Sequence, residues 1–223
     1  MSAAAAPAMP QVAPPLPVPP PAAPPSSAPP EPDLTIADVR RFTVDEYMKL
    51  IEVGILYAHD GVELLDGWVV QNMPINPPPN AIASNCVAYL ARRLPEGWDC
   101  RGQASARTDT SRPEPDGAVV RGRNLDYLNR DPSADDIAVV IEVSDSSLAR
   151  DRGTKKVIYA RAGYPVYWIL NIEEKAIEVY TDPTGPADEA GYRQSRTYKP
   201  DDTVPLVLDG VEVTRIPVRD LLP

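Results

Sequence analysis

Three residues of this chain combine a reactive side chain with a position where that side chain is costly to keep. Ile137-Ala138-Val139-Val140-Ile141 is an apolar, β-branched run that reads as a buried strand, and it carries a carboxylate, Glu142, followed by Val143. A carboxylate there is expensive unless it is paired or holds a cation. Asp116 opens a second apolar run, Gly117-Ala118-Val119-Val120. Beyond a Ser/Asp-rich turn, Asp151, Lys155 and Tyr159 fall at successive i+4 spacing, which places them on one face of a helix. Two acids and a lysine on neighbouring elements can hold a divalent metal and act on a phosphodiester.

The spacing also gives a geometry. If the strands at 116–120 and 137–143 pair antiparallel across the polar loop 122–136, the midpoint of Asp116 and Glu142 is position 129, inside that loop. The two acids then face each other at one end of the ladder, with Cβ atoms ~5 Å apart. Carboxylates that close repel unless one is protonated or a cation joins them. A hard cation takes one oxygen from each and a backbone carbonyl such as that of Val143. Lys155, on the face shared with Asp151 and Tyr159, can orient a water or stabilise developing charge. Each residue also has an ordinary reading: Asp116 as turn chemistry with Gly117, and Asp151–Lys155 as a helix ion pair of ~0.3–0.5 kcal/mol.

The elements that must position these groups follow a mixed order. Thr43 and Glu46 form a capping box that starts a helix running to about Val53. Asp66-Gly67 between Val62–Leu65 and Trp68–Val70 is a hairpin signal, with Glu63 in its first strand. Asn80, after Pro77-Pro78-Pro79, is the expected N-cap of a second helix with Ile82, Cys86, Tyr89, Leu90 and Leu94 on its buried face. Short strands are expected at 98–101 and 104–108. Gly163 is expected to end the helix of Lys155, and strands follow at 164–170, 176–180, 192–198, 204–208 and 211–214, the last three as edges. The fold class is mixed α/β: a central sheet flanked by helices, with no internal repeat.

Composition narrows the chemistry. The chain has 223 residues and a formal charge of −10, which argues against a general polyanion binder. Residues 92–161 nevertheless carry 13 Lys/Arg against 12 Asp/Glu, so any nucleic-acid face belongs there. A single histidine, His59, excludes His-rich zinc sites, and an all-oxygen donor set favours magnesium or manganese. Cys86 and Cys100 make no disulfide framework, which points to a reducing, cytoplasmic compartment. No apolar run approaches a membrane span. Residues 1–33 hold 13 prolines and no Lys or Arg, so they are expected to be a disordered Pro/Ala tail ahead of one domain at 34–223.

These residues resemble a known family. Pro115-Asp116, Glu142-Val143-Ser144, Asp151-Arg152-Gly153-Thr154-Lys155, Tyr159-Ala160-Arg161-Ala162-Gly163 and Tyr167-Trp168-Ile169 are similar in order and spacing to the Uma-two-type restriction endonucleases of the PD-(D/E)XK superfamily. Glu63-Leu64-Leu65-Asp66-Gly67 matches that family's N-terminal glutamate motif. The resemblance spans about residues 40–220. It implies a restriction-endonuclease-like fold, a magnesium- or manganese-dependent endonuclease acting on DNA, Asp116 and Glu142 as metal ligands, Lys155 as the active-site lysine and Glu63 as a further acid. A homodimer is compatible with it. The superfamily lysine would fall at position 144, where this chain has Ser144; here the lysine has moved to the helix, as Lys155. Asn80 stands where relatives often carry histidine. The alternative expectation is an inactive module of the same fold that binds DNA or a protein partner.

Overall fold

A computed structural model of the chain describes residues 35–57, 60–72, 77–103, 105–187 and 189–223. The chain forms two compact units, residues 1–39 and 40–223. Of the first, the described part is a 3-10 turn, Ile36–Asp38, in which the Asp38 carboxylate accepts from the backbone and hydroxyl of Thr35. The Pro/Ala tail at 1–33 lies outside the described residues.

The second unit is built on a six-stranded mixed sheet: β3 (Trp98–Gly102), β4 (Gly117–Arg121), β5 (Ile137–Ser144), β6 (Val166–Asn171), β7 (Ala176–Pro183) and β8 (Tyr192–Tyr198), hydrogen-bonded in that order. β5 and β6 are parallel; every other neighbouring pair is antiparallel. A parallel pair needs a crossover, and the helical stretch after β5 supplies it. All eight residues of β5 are buried, as a central strand covered on both faces requires.

The two faces of β5 go to two cores. Val139, Ile141 and Val143 pack with Cys86 and Leu90 of α2 (Pro77–Ala91) and with Leu206, Ile216 and Leu221. Val140 packs on the other face with Ala118, Val120, Tyr159 and Tyr167. Glu142, two residues beyond Val140, therefore points towards the crossover helix. The β4–β5 register pairs Gly117 with Ile141 and Val119 with Val139, with a bulge before Val120–Ile137. Extended by one residue, it sets Asp116 opposite Glu142, the register that the loop midpoint predicts.

The crossover consists of three abutting segments: α3 (Leu148–Arg150), a π-helical turn (Asp151–Lys155) and α4 (Lys156–Ala162). Gly163, at φ 81°, closes α4 in the left-handed conformation expected of it. A separate antiparallel hairpin, β1 (Val62–Leu65) and β2 (Trp68–Gln71), packs on α1 (Val44–Glu52) through Val44, Tyr47 and Leu64. Its turn residues Asp66 and Gly67 both have positive φ, 46° and 83°, which fits the two-residue turn predicted for Asp-Gly. A Cβ on Gly67 would sit 2.7 Å from Arg41 Cβ, so the turn also lies hard against the chain leading into α1. β9 (Thr203–Leu208) and β10 (Val211–Pro217) form their own two-stranded sheet, followed by α5 (Val218–Leu221).

Several local expectations need correction. α2 begins at Pro77, so Asn80 lies inside the helix rather than capping it; proline suits the first turn, where its missing N–H has no partner to lose. Residues 105–108 are not a strand. Their N–H groups bond to loop carbonyls, Ala106 to Pro113 and Arg107 to Pro132, instead of a ladder. Asp116 precedes its strand by one residue. The three strands expected as sheet edges are edges, but of two sheets: β8 ends the six-stranded sheet, and β9 and β10 pair only with each other.

Candidate active site

Glu63, Glu142 and Lys155 meet in the interior. Lys155 Nζ lies 2.9 Å from Glu142 Oε1 and 3.2 Å from Glu63 Oε2, and the three residues are 3%, 3% and 0% exposed for Lys155, Glu142 and Glu63. β5 delivers Glu142, the π turn delivers Lys155, and β1 delivers Glu63 from the hairpin. β1 is moored there by residues 112–114: Arg112 and Leu64 exchange backbone bonds, and the Glu114 N–H donates to Glu63 Oε2 at 3.1 Å. Glu63 is thus a buried ion-pair partner. Its other oxygen, Oε1, is buried with no hydrogen bond, and Arg150 Nη1 approaches it only to 3.7 Å.

Asp116 completes the group from the head of β4. Its Oδ2 accepts the N–H of Val143 at 2.7 Å, which ties the acid to the strand that carries Glu142. Asp116 is partly exposed and borders a cavity of about 360 Å3 lined also by Asn80, Ser84 and Gln103. The cluster therefore opens to solvent on the Asp116 side. Asn80 lies on that opening, so a change of residue there alters the entrance.

The Asp151–Lys155 ion pair expected from i+4 spacing is not what holds Asp151. Its Oδ2 accepts from the hydroxyls of Ser144 and Ser147, both at 2.6 Å, and its backbone oxygen accepts from Tyr167 at 3.2 Å. Arg152, next along, makes a forked pair with Glu178. These bonds pin the π turn to the ends of β5, β6 and β7 and so fix where Lys155 starts. Tyr159 contributes directly: its hydroxyl donates to Glu142 Oε1 at 2.7 Å. The i+4 step from Lys155 was the available signal for Tyr159. The serine pair shows only in three dimensions, and nothing in the sequence marks Arg150.

The electrostatics are lopsided. Burial pushes Asp116 up to about 6, against the pull of the Val143 N–H and Lys155. Burial also lifts Glu142 well above the ordinary glutamate value; Lys155 opposes it, while Asp151, Asp116 and Glu63 add to it. For Lys155, burial favours the neutral amine, but Glu142, Glu63 and Asp151 outweigh it and hold its pKa above the usual lysine value. Four acids thus surround one buried ammonium.

That imbalance bears on whether a cation fits. Among the described residues no three Asp, Glu, His or Cys side chains converge as a ready-made cage. Magnesium does not need one, since it is usually held by one or two carboxylates with water and phosphate completing the shell. Among the described residues, Asp116 Oδ1 and Glu142 Oε2 accept no hydrogen bond, and Glu63 Oε1 is the buried orphan. An all-oxygen, acid-rich set with uncommitted lone pairs suits a hard divalent ion.

A family model for Uma2, described as "Putative restriction endonuclease", matches residues 44–218. The chain belongs to the Uma2 family. A solved crystal structure, of "a putative nuclease belonging to DUF820" from Anabaena variabilis ATCC 29413, superposes with a TM-score of 0.61 at 19% identity, covering 81% of this chain and 97% of that one. At that identity the likeness establishes the fold alone: a mixed sheet flanked by helices. No curated protein matches the chain. The family match takes in Glu63, Asp116, Glu142 and Lys155 alike. Among the described residues no helix is long and apolar enough to cross a membrane.

Proposed function

We propose that this Uma2 protein is a magnesium- or manganese-dependent endonuclease that hydrolyses DNA phosphodiester bonds. The observation that carries the reading is the buried ammonium of Lys155 set between Glu142 and Glu63, with Asp116 in register across from Glu142. An ion pair of this kind does little for stability compared with apolar packing, so its retention calls for another use.

Asp116 and Glu142 would hold the cation, with the Val143 carbonyl beside them. A bound divalent ion supplies positive charge where the phosphate gathers negative charge, and makes water acidic enough to attack near neutral pH. Lys155 keeps a proton at Nζ throughout, because its carboxylate neighbours raise its pKa, and so serves as a fixed positive charge and hydrogen-bond donor. Tyr159 fixes one Glu142 oxygen and leaves the other directed elsewhere. Glu63 orients Lys155 from the opposite side and has an oxygen in reserve for a second ion. The partly exposed Asp116 marks the side from which the phosphate enters.

The test is cleavage of plasmid and oligonucleotide DNA with magnesium or manganese, beside thermal melting titrated with magnesium. The expected result is metal-dependent cleavage, a magnesium-induced rise in melting temperature, and loss of both in Glu142→Gln. Equal magnesium shifts in wild type and Glu142→Gln would remove Glu142 as a ligand. Magnesium binding without cleavage of any DNA would favour the inactive DNA-binding module.

A further inference from the structure

A second cleft adjoins the cluster on the hairpin side. The cross-strand pairs Glu63–Val70 and Leu65–Trp68 lie on one face of the β1–β2 hairpin, so the floor that begins at buried Glu63 continues outward to Trp68. Arg150 and Thr154, from α3 and the π turn, form the facing wall of a cavity of about 380 Å3. Arg41 closes the outer end, with its guanidinium 5.4 Å from the centre of the Trp68 ring.

The charges in this cleft are arranged unlike those of the surrounding surface. In an acidic chain most exposed arginines are matched by a carboxylate: Arg40 by Glu46, Arg107 by Asp45, Arg121 by Asp209. Arg41 makes no ion pair among the described residues. Arg150 spends Nη1 on the Gln71 carbonyl at 3.1 Å and stands 3.7 Å from Glu63; its other guanidinium nitrogens donate to nothing among the described residues. The one acid in the wall, Asp66, is already engaged by Arg161 at 2.8 and 3.1 Å and by the Thr110 hydroxyl at 2.9 Å. The stem of Arg41 also lies against the hairpin turn. Gly67 sits so close to its Cβ that any larger residue in the turn would displace it.

We propose that this cleft binds the phosphodiester backbone of the substrate strand next to the cleavage point, with Arg41 and Arg150 on phosphate oxygens, Thr154 donating a hydroxyl and the Trp68 ring against a sugar or base. Two guanidinium groups with spare donors beside an aromatic face suit a nucleic-acid strand, whose phosphates meet the arginines and whose sugar or base meets the ring. The inference rests on the nuclease reading, and the cleft would supply binding to a site whose own residues carry net negative charge.

The experiment is fluorescence anisotropy of a labelled duplex DNA on the full chain, with calcium replacing magnesium, over a series of salt concentrations. Arg41→Gln is expected to weaken binding by about threefold to tenfold and to lower the salt slope by about 1, the loss of one phosphate contact. Arg41→Glu should weaken it further. Arg196→Gln, an exposed arginine on edge strand β8, should bind as wild type does. Melting temperature checks that each variant is folded. If both Arg41 variants bind like wild type with an unchanged salt slope, the cleft is not a backbone site and the nuclease reading stands without it. If wild type binds no DNA at low salt, the proposal and the nuclease reading fall together.

Discussion

Lys155→Met tests the cluster without any substrate. The side chain is replaced by one of similar length, and the ammonium that lies 2.9 Å from Glu142 and 3.2 Å from Glu63 is gone. Arg150, at 3.7 Å from Glu63, is too far to replace it. Removing one partner of a buried pair costs about 3–5 kcal/mol where the other stays charged. Here the fold has another route, which is to take up a proton. Forcing one glutamate with an unfolded pKa of ~4.3 to stay neutral costs about 1.4 kcal/mol per pH unit above that value. The deficit should therefore be about 1 kcal/mol near pH 5 and about 3–4 kcal/mol near pH 7. The sign follows from a folded pKa raised above the unfolded one: the contribution is intact below the unfolded pKa and is lost as pH rises towards the folded pKa. Against a total of ~5–15 kcal/mol the variant should still fold at neutral pH. Urea unfolding of both proteins at several pH values, with divalent ions removed, reads the difference. A deficit constant across that range would mean that Lys155 only fills space, and the charge argument would be wrong.

Three further outcomes are expected. Wild-type apo protein should lose stability as pH rises from about 4 through 6, because Asp116, held at about 6, keeps its proton in the fold after the unfolded chain has given it up; saturating magnesium should flatten that slope, and cleavage should rise over the same window, as pH-dependent melts and rates would record. Asp151→Ala should cost about 1–3 kcal/mol and most of the cleavage rate, since the Ser144 and Ser147 hydroxyls lose their acceptor, whereas Asp151→Asn should recover part of both. Gly163→Ala should cost only about 1 kcal/mol for its left-handed backbone, with open space around the new methyl; Gly67→Ala should cost more, because its methyl also meets Arg41, and denaturant melts of the two would rank them.

What could be read from the chain was whatever local spacing controls. The β4–β5 register follows from a loop that must be symmetric about its midpoint, and the Asp66-Gly67 turn from the sign of φ that two-residue hairpins demand. Glu142 stood out because an acid in an apolar strand needs a partner. Glu63 was legible as a motif and not as a buried residue, since its burial depends on α1 and on the mooring by Glu114. The partner of Asp151 was misread because i+4 spacing shows who is near along a helix and is blind to Ser144 on the strand before it. Asn80 looked like a cap because its side chain suits one, but the prolines ahead of it could already occupy the first turn.

The π turn at Asp151–Lys155 acts as a phase shifter for the helix that contains it. In a regular α-helix, residues five apart point about 140° away from each other, so one carboxylate cannot face both. In a π turn the hydrogen bonds close at i+5, the winding is looser, and positions five apart come closer to one face. Arg150 and Lys155 are five apart, and both lean on Glu63. The extra residue in that turn brings two cations of one helical stretch towards a single acid, Lys155 at 3.2 Å and Arg150 at 3.7 Å, and it sets the angle between what lies before Asp151 and what lies after Lys155. A chain one residue shorter there could still be helical and still carry every reactive side chain, with Arg150 and the segment before it rotated away from the acid that Lys155 holds.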